Sequence, residues 1–212
     1  MMLKTILDQK FKYSKIQKEK SKVIAVTGVA RGIGVTHFCI MMAYYLAKQR
    51  RKVALVELND TGHFGKIEKA YEGLHHDIMS TESFNIKGVT YYKGTSKEKL
   101  MDLYQADYHY ILLDIGEGIK NYAEEHKRAD IPLVIGHVSD WKIDEVDDFR
   151  IRYSMLMTKR CKWLFPDGKK DELLELGRKI GMTFHTIPYC VDPFVRKKVT
   201  QDHMKRIIGL EV

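Results

Sequence analysis

From residue 22 almost to its end the 212-residue chain alternates short apolar segments with longer helix-patterned ones. KVIAVT (22–27), KVALVEL (52–58), GVTYYKG (88–94), YHYILLDIG (108–116), IPLVIGHV (131–138), CKWLF (161–165) and TFHTIPY (183–189) read as strands. Most are apolar at successive positions, so both faces of the sheet they form must be covered. Helix patterns between them, at 36–49, 96–105, 118–129, 142–156, 169–180 and 193–208, supply that cover. The stretch 63–85 is poorly patterned and reads as a short helix and an irregular segment. This predicts an α/β fold, a doubly wound and mostly parallel sheet with helices on both faces. One domain spans residues 22–212, preceded by a basic N-terminal helix or extension at 1–21.

Composition narrows the class. Hydrophobic residues at 44% and charged residues at 30% are globular proportions. The longest apolar runs reach only about a dozen residues, too short for a bilayer, and no secretory leader pattern opens the chain. Cys39, Cys161 and Cys190 are scattered, odd in number and without a CxxC pair. That excludes a disulfide framework and fits a reducing cytoplasm.

The net charge of +8 collects at the ends. Residues 1–22 carry seven lysines against Asp8 and Glu19, and Leu3, Ile6, Leu7 and Phe11 fall at helical spacing among them. Such a helix covers a domain edge, meets a protein partner or rests peripherally on an anionic membrane. Arg196, Lys197, Lys198, Lys205 and Arg206 form a second basic stretch. No base-reading motif accompanies either, which leaves nucleic acid a minor option.

The first strand runs into VTGVARGIGVTH (26–37). Gly28, Gly32 and Gly34 permit tight turns and close approach of backbone N–H groups to an anion, and a helix N-terminus follows. In a doubly wound sheet ligands bind at the carboxyl ends of the strands, so a phosphate-bearing ligand is the first expectation.

Two resemblances sharpen it. TGVARGIG (27–34) resembles the cofactor loop of short-chain dehydrogenases, and Glu57, 23 residues after Gly34, stands where an acid would bind an adenine ribose. That resemblance implies NAD(P). It fails beyond the first quarter of the chain, because the only Tyr/Lys pair four apart, Tyr44/Lys48, lies inside the first helix.

The second resemblance is to the MinD/ParA class of P-loop ATPases, and it keeps its order over about residues 22–200. Gly32, Gly34 and Thr36 match the KGGxGKT loop, with Ala30 and Val35 at the two lysine positions. VELND (56–60) resembles a strand end with two aspartates, here Glu57 and Asn59. YHYILLDIG places Asp114 where an aspartate holds magnesium-bound water. RADIPLVIGHVSD (128–140) resembles the strand where base and dimer contacts begin, and IPYCVDPFVRK (187–197) a segment near the base.

The resemblance implies ATP or ADP with Mg²⁺ and a homodimer. It assigns nucleotide contacts to Gly28, Arg31, Gly32, Ile33, Gly34, Val35, Thr36, His37, Asp192 and Pro193, and the metal to Thr36 and Asp114. Without the loop lysines it implies at most a weak ATPase, since phosphoryl transfer depends on that charge. Arg31 stands beside the gap. Within the class the TadZ/CpaE-like proteins, localisation factors for pilus and secretion machinery, also include atypical loops. A scaffold of the same fold that binds no nucleotide is the remaining alternative.

Other residues have plainer readings. His75, His76 and Asp77 read as a polar loop. Asp144, Glu145, Asp147 and Asp148 favour a helix N-terminus, and Trp141 reads as packing.

Overall fold

A computed structural model describes residues 20–209 apart from 74–76, 80, 118, 138, 140, 141, 167, 169, 181, 183 and 189. Residues 1–19, His75, His76 and Trp141 therefore lie outside the described residues. The strands are β1 (Lys22–Gly28), β2 (Val53–Glu57), β3 (Ser83–Ile86), β4 (Val89–Tyr92), β5 (Tyr110–Gly116), β6 (Ile131–Ile135), β7 (Lys162–Pro166) and β8 (Phe184–Ile187). The helices are α1 (Val35–Lys48), α2 (His63–Glu72), α3 (Lys97–Gln105), α4 (Ala123–Arg128), α5 (Ile143–Arg152), α6 (Lys170–Ile180) and α7 (Lys198–Ile208).

The sheet order is β3-β4-β2-β5-β1-β6-β7-β8, and every pairing is parallel except β3 with β4. The doubly wound prediction holds. β5 stands between β2 and β1, whereas a dinucleotide-binding sheet of order 3-2-1-4-5-6 places its first two strands side by side.

Period-2 alternation divides the core into two layers. Ile24, Val26, Leu55 and Leu112 face one side, with α1, Phe64 of α2 and Met204, Ile207 and Ile208 of α7. Ala25, Ala54, Ile111 and Leu113 face the other, with Leu100 and Leu103 of α3, Val146 and Phe149 of α5 and Leu173 of α6. Burial from Val35 through Leu46 makes α1 a core helix, as its nearly unbroken apolar sequence requires. Among the described residues no helix is long and apolar enough to cross a membrane.

Three expectations change. The stretch 63–85 holds β3, which forms a hairpin with β4. Lys87 (φ 52°) and Gly88 (φ 86°) make its two-residue turn with the paired positive φ angles that a tight hairpin needs. The helix expected over 118–129 is confined to Ala123–Arg128. The last helix starts at Lys198 rather than 193, because Asp192 turns the chain. Its carboxylate accepts the Phe194 N–H at 2.9 Å and its carbonyl the Val195 N–H at 3.2 Å.

Candidate functional site

β1 delivers the glycine loop to the carboxyl edge of the sheet, where its neighbours become β6 on one side and β5 on the other. The Val29 N–H bonds the Ile135 carbonyl at 3.0 Å, and the chain then doubles back into α1. Gly32 (φ 78°) and Gly34 (φ 100°) are left-handed, Gly34 as the N-cap of α1. A β-carbon on Gly28 would lie 2.5 Å from Ile33 Cγ2 and 2.8 Å from Val35 Cγ2. Gly28 thus lets the loop fold down onto its own strand. Gly28→Ala is expected to cost about 1–3 kcal/mol by overpacking. Thermal unfolding checks this, and an unchanged midpoint would refute it.

The loop forms one wall of a cleft of about 1090 Å³ at the strand ends. Arg31, Gly32, Ile33, Gly34, Val35, Thr36 and His37 all line it. The first turn of α1 leaves backbone N–H groups without intrahelical acceptors, which is the loop's capacity for an anion. His37 Nε2 is shielded from solvent and has no hydrogen-bond partner.

Below the loop, Glu57 and Asp114 are register partners at the ends of β2 and β5. Glu57 is buried, and its Oε1 accepts the Phe64 N–H at 3.2 Å and the Thr61 hydroxyl at 3.4 Å. It therefore anchors the start of α2. Asp114 is completely buried, and neither carboxylate oxygen has a partner of regular hydrogen-bond geometry. Burial raises its carboxyl to about 6, and the charge of Glu57 adds to the rise. Thr36, Gly116 and Asn59 pull the other way. The Asn59 amide donates to the Asp114 backbone carbonyl at 3.0 Å. A register shift between Val26 and Thr27, the latter opposite Gly116, turns the β5 end at this point.

The opposite wall is α2. His63, Lys66, Ile67 and Ala70, one face at helical spacing, line the cleft, and His63 Nδ1 lies 3.4 Å from Thr36 Oγ1. Thr95, Asn121 and Tyr122 close the far end. The sequence reading missed this face, whose only signal is the 63/66/67/70 spacing within a mostly polar stretch.

Asp192 and Pro193 do not line the cleft. Pro193 lies instead between α1 and α7, in a small pocket with Tyr44 and Met204, and Asp192 is engaged in its own turn. Asp77 accepts the Met79 N–H at 2.9 Å in a local turn. Asp144 and Glu145 occupy the first turn of α5, as expected from the helix dipole.

Among the described residues no group of three or more His, Cys, Asp or Glu is arranged to hold a metal. Mg²⁺ does not need one, since it is commonly held by one or two protein oxygens together with phosphate and water. The Asp114 carboxylate, fully buried beneath Thr36 and just behind the cleft lining, fits that requirement through Thr36, which does line the cleft.

Solved structures share this architecture. MinD of Aquifex aeolicus, in its complex with MinC, superposes with a TM-score of 0.68 at 17% identity, over 91% of this chain and 98% of that one. A plasmid partition protein of Borrelia burgdorferi bound to AMPPNP gives 0.62 at 16%, over 92% and 100%. The chain has the MinD/ParA fold. A cobyrinic acid a,c-diamide synthase of Mycobacterium smegmatis, with a bound ATP analogue and magnesium, matches at 0.57 and 16% over 90% and 94%. These structures cover about nine tenths of the chain. No protein-family model and no curated protein sequence matches it.

Proposed function

We propose that this chain binds ATP or ADP with Mg²⁺ in the cleft beside the glycine loop, hydrolyses it poorly, and acts as a positioning or regulatory factor. The observation that carries the reading is the cleft itself. A glycine loop and a helix N-terminus meet there, at the carboxyl ends of the central strands, above a buried carboxylate without a partner of regular hydrogen-bond geometry. Thr36 and Asp114 would hold the magnesium, which supplies charge neutralisation between phosphates. Backbone amides of residues 31–37 would hold the phosphates.

Poor hydrolysis follows from the loop chemistry. Val35 and Ala30 carry no charge to a terminal phosphate, and Glu57 is committed to anchoring α2. Support for the nucleotide comes from the fold relatives bound to AMPPNP and to an ATP analogue with magnesium. The complex of MinD with MinC supports a protein partner. In this reading the chain works as a homodimer, in the cytoplasm or peripherally at a membrane. Residues 1–21 meet the partner or an anionic surface, and pilus or secretion machinery is the setting.

The test is calorimetric titration of the purified chain with Mg²⁺–ATP, ADP and NADH in parallel, repeated for Thr36→Ala. ATP and ADP binding without NADH, with Mg²⁺–ATP weakened about tenfold by the substitution, is the expected result, since a lost ligand oxygen costs on the order of 1.4 kcal/mol. NADH binding alone would replace this reading with a dehydrogenase. Binding of none would leave a scaffold.

A further inference from the structure

The MinD/ParA resemblance places a lysine in the loop, and this loop has none. Val35, at that position, is only 6% exposed and packs with Ile33 against Gly28 in the α1 core layer. A cation that meets a terminal phosphate here comes either from Arg31, the one charged side chain of the loop, or from another wall of the cleft.

Resting on the nucleotide reading above, the geometry points to Lys66 as that cation, supplied from α2 in place of the loop lysine. Lys66 lines the cleft and lies three residues after His63, so the two share a helix face about 5–6 Å apart at their β-carbons. His63 touches Thr36, which sets that face directly opposite the loop. The remaining members of the face, Ile67 and Ala70, carry no charge.

Lys66 has no ion pair among the described residues. Glu68, two residues on, is turned into the protein and held by Lys93, whose ammonium also donates to the Ile78 carbonyl at 2.6 Å. Lys69 is exposed and does not line the cleft.

α2 is also fixed in place. Glu57 accepts the Phe64 N–H, and the Phe64 ring, fully buried, packs edge-on against Tyr91 at 5.3 Å between centroids. A lysine on an anchored helix faces the cleft before any ligand arrives, so little ordering is needed on binding. Arg31 also lines the cleft and is exposed as Lys66 is, but it stands on the glycine loop rather than on an anchored helix.

The full chain and its Lys66→Met, Lys66→Arg, Lys69→Met and Arg31→Met variants are titrated with Mg²⁺–ATP, ADP and AMP. Charge-assisted contacts predict that Lys66→Met weakens ATP by about 10–100-fold. ADP should suffer less and AMP not at all. Lys66→Arg should restore most of the ATP affinity, and Lys69→Met, which removes the same charge three residues away, should behave as the parent chain.

Equal losses for ATP and AMP would mean a structural role and overturn the assignment, as would an ATP loss confined to Arg31→Met or an unaltered Lys66→Met. A parent chain that binds none of the three nucleotides overturns the nucleotide reading itself. Binding with an indifferent Lys66 overturns this assignment alone.

Discussion

Asp114→Asn is expected to make the protein more stable at pH 8 by about 3 kcal/mol and, on the nucleotide reading proposed above, to remove the Mg²⁺ dependence of binding. The carboxyl titrates near 6 in the folded chain, against about 3.9 when unfolded. Above pH 6 it is ionised in both states, and the folded state carries the whole cost of a buried charge without regular hydrogen bonds. Below about pH 4 it is protonated in both and the cost is gone. Two pKa units at about 1.4 kcal/mol each set the magnitude. The amide of Asn keeps the shape and drops the charge, so the gain appears at pH 8 and fades toward pH 4. Denaturant unfolding at the two pH values checks it. Equal stability of parent and variant at pH 8 would show that the carboxylate is solvated or paired after all. A gain of the expected size would mean that the carboxylate is retained at a cost to the fold, a stability–function trade-off common at functional sites.

The parts of this molecule that were legible in the sequence are those governed by local periodicity. Ile24, Ala25 and Val26 announce a strand covered on both faces, and Phe38 to Leu46 a helix with no solvent side. Gly28, Gly32 and Gly34 announce a loop whose backbone must bend and approach closely. What stayed hidden depends on meetings across the sheet. β3 is only four residues long, and its turn places Lys87, not glycine, at the first positive φ. His63 and Lys66 sit in a stretch with little apolar pattern, and both line the cleft, where His63 meets Thr36 from 27 residues earlier. Asp192 and Pro193 were assigned to the nucleotide through a resemblance of short segments, and the turn at Asp192 puts Pro193 on the flank of α1 instead.

His126 should produce the opposite pH dependence. It is fully buried on α4, and its Nε2–H donates to the Leu133 carbonyl at 3.1 Å, which fixes the neutral tautomer. Nδ1 has no partner, so a proton there would be a buried charge with an unsatisfied donor. Burial lowers its pKa to about 4, and the Leu133 bond opposes the shift only in part. A histidine depressed on folding contributes stability that is complete above its unfolded pKa, about 6.5, and is lost as pH falls to 4. The amount is about 3 kcal/mol. Asp114 gains about as much over nearly the same window, so the two nearly cancel in the parent chain. Asp114→Asn uncovers the loss, and its stability should fall steeply between pH 6.5 and 4. His185, whose burial also lowers its pKa to about 4, adds the same background loss to all four proteins. His126→Gln, which keeps a donor for Leu133, should therefore lose about 3 kcal/mol less than the parent on acidification, whatever its fixed packing penalty. The double variant should follow the parent's curve if the two sites act independently. Unfolding free energies across pH 4–8 for the four proteins decide the matter. Parallel curves would mean that neither group titrates where its surroundings place it.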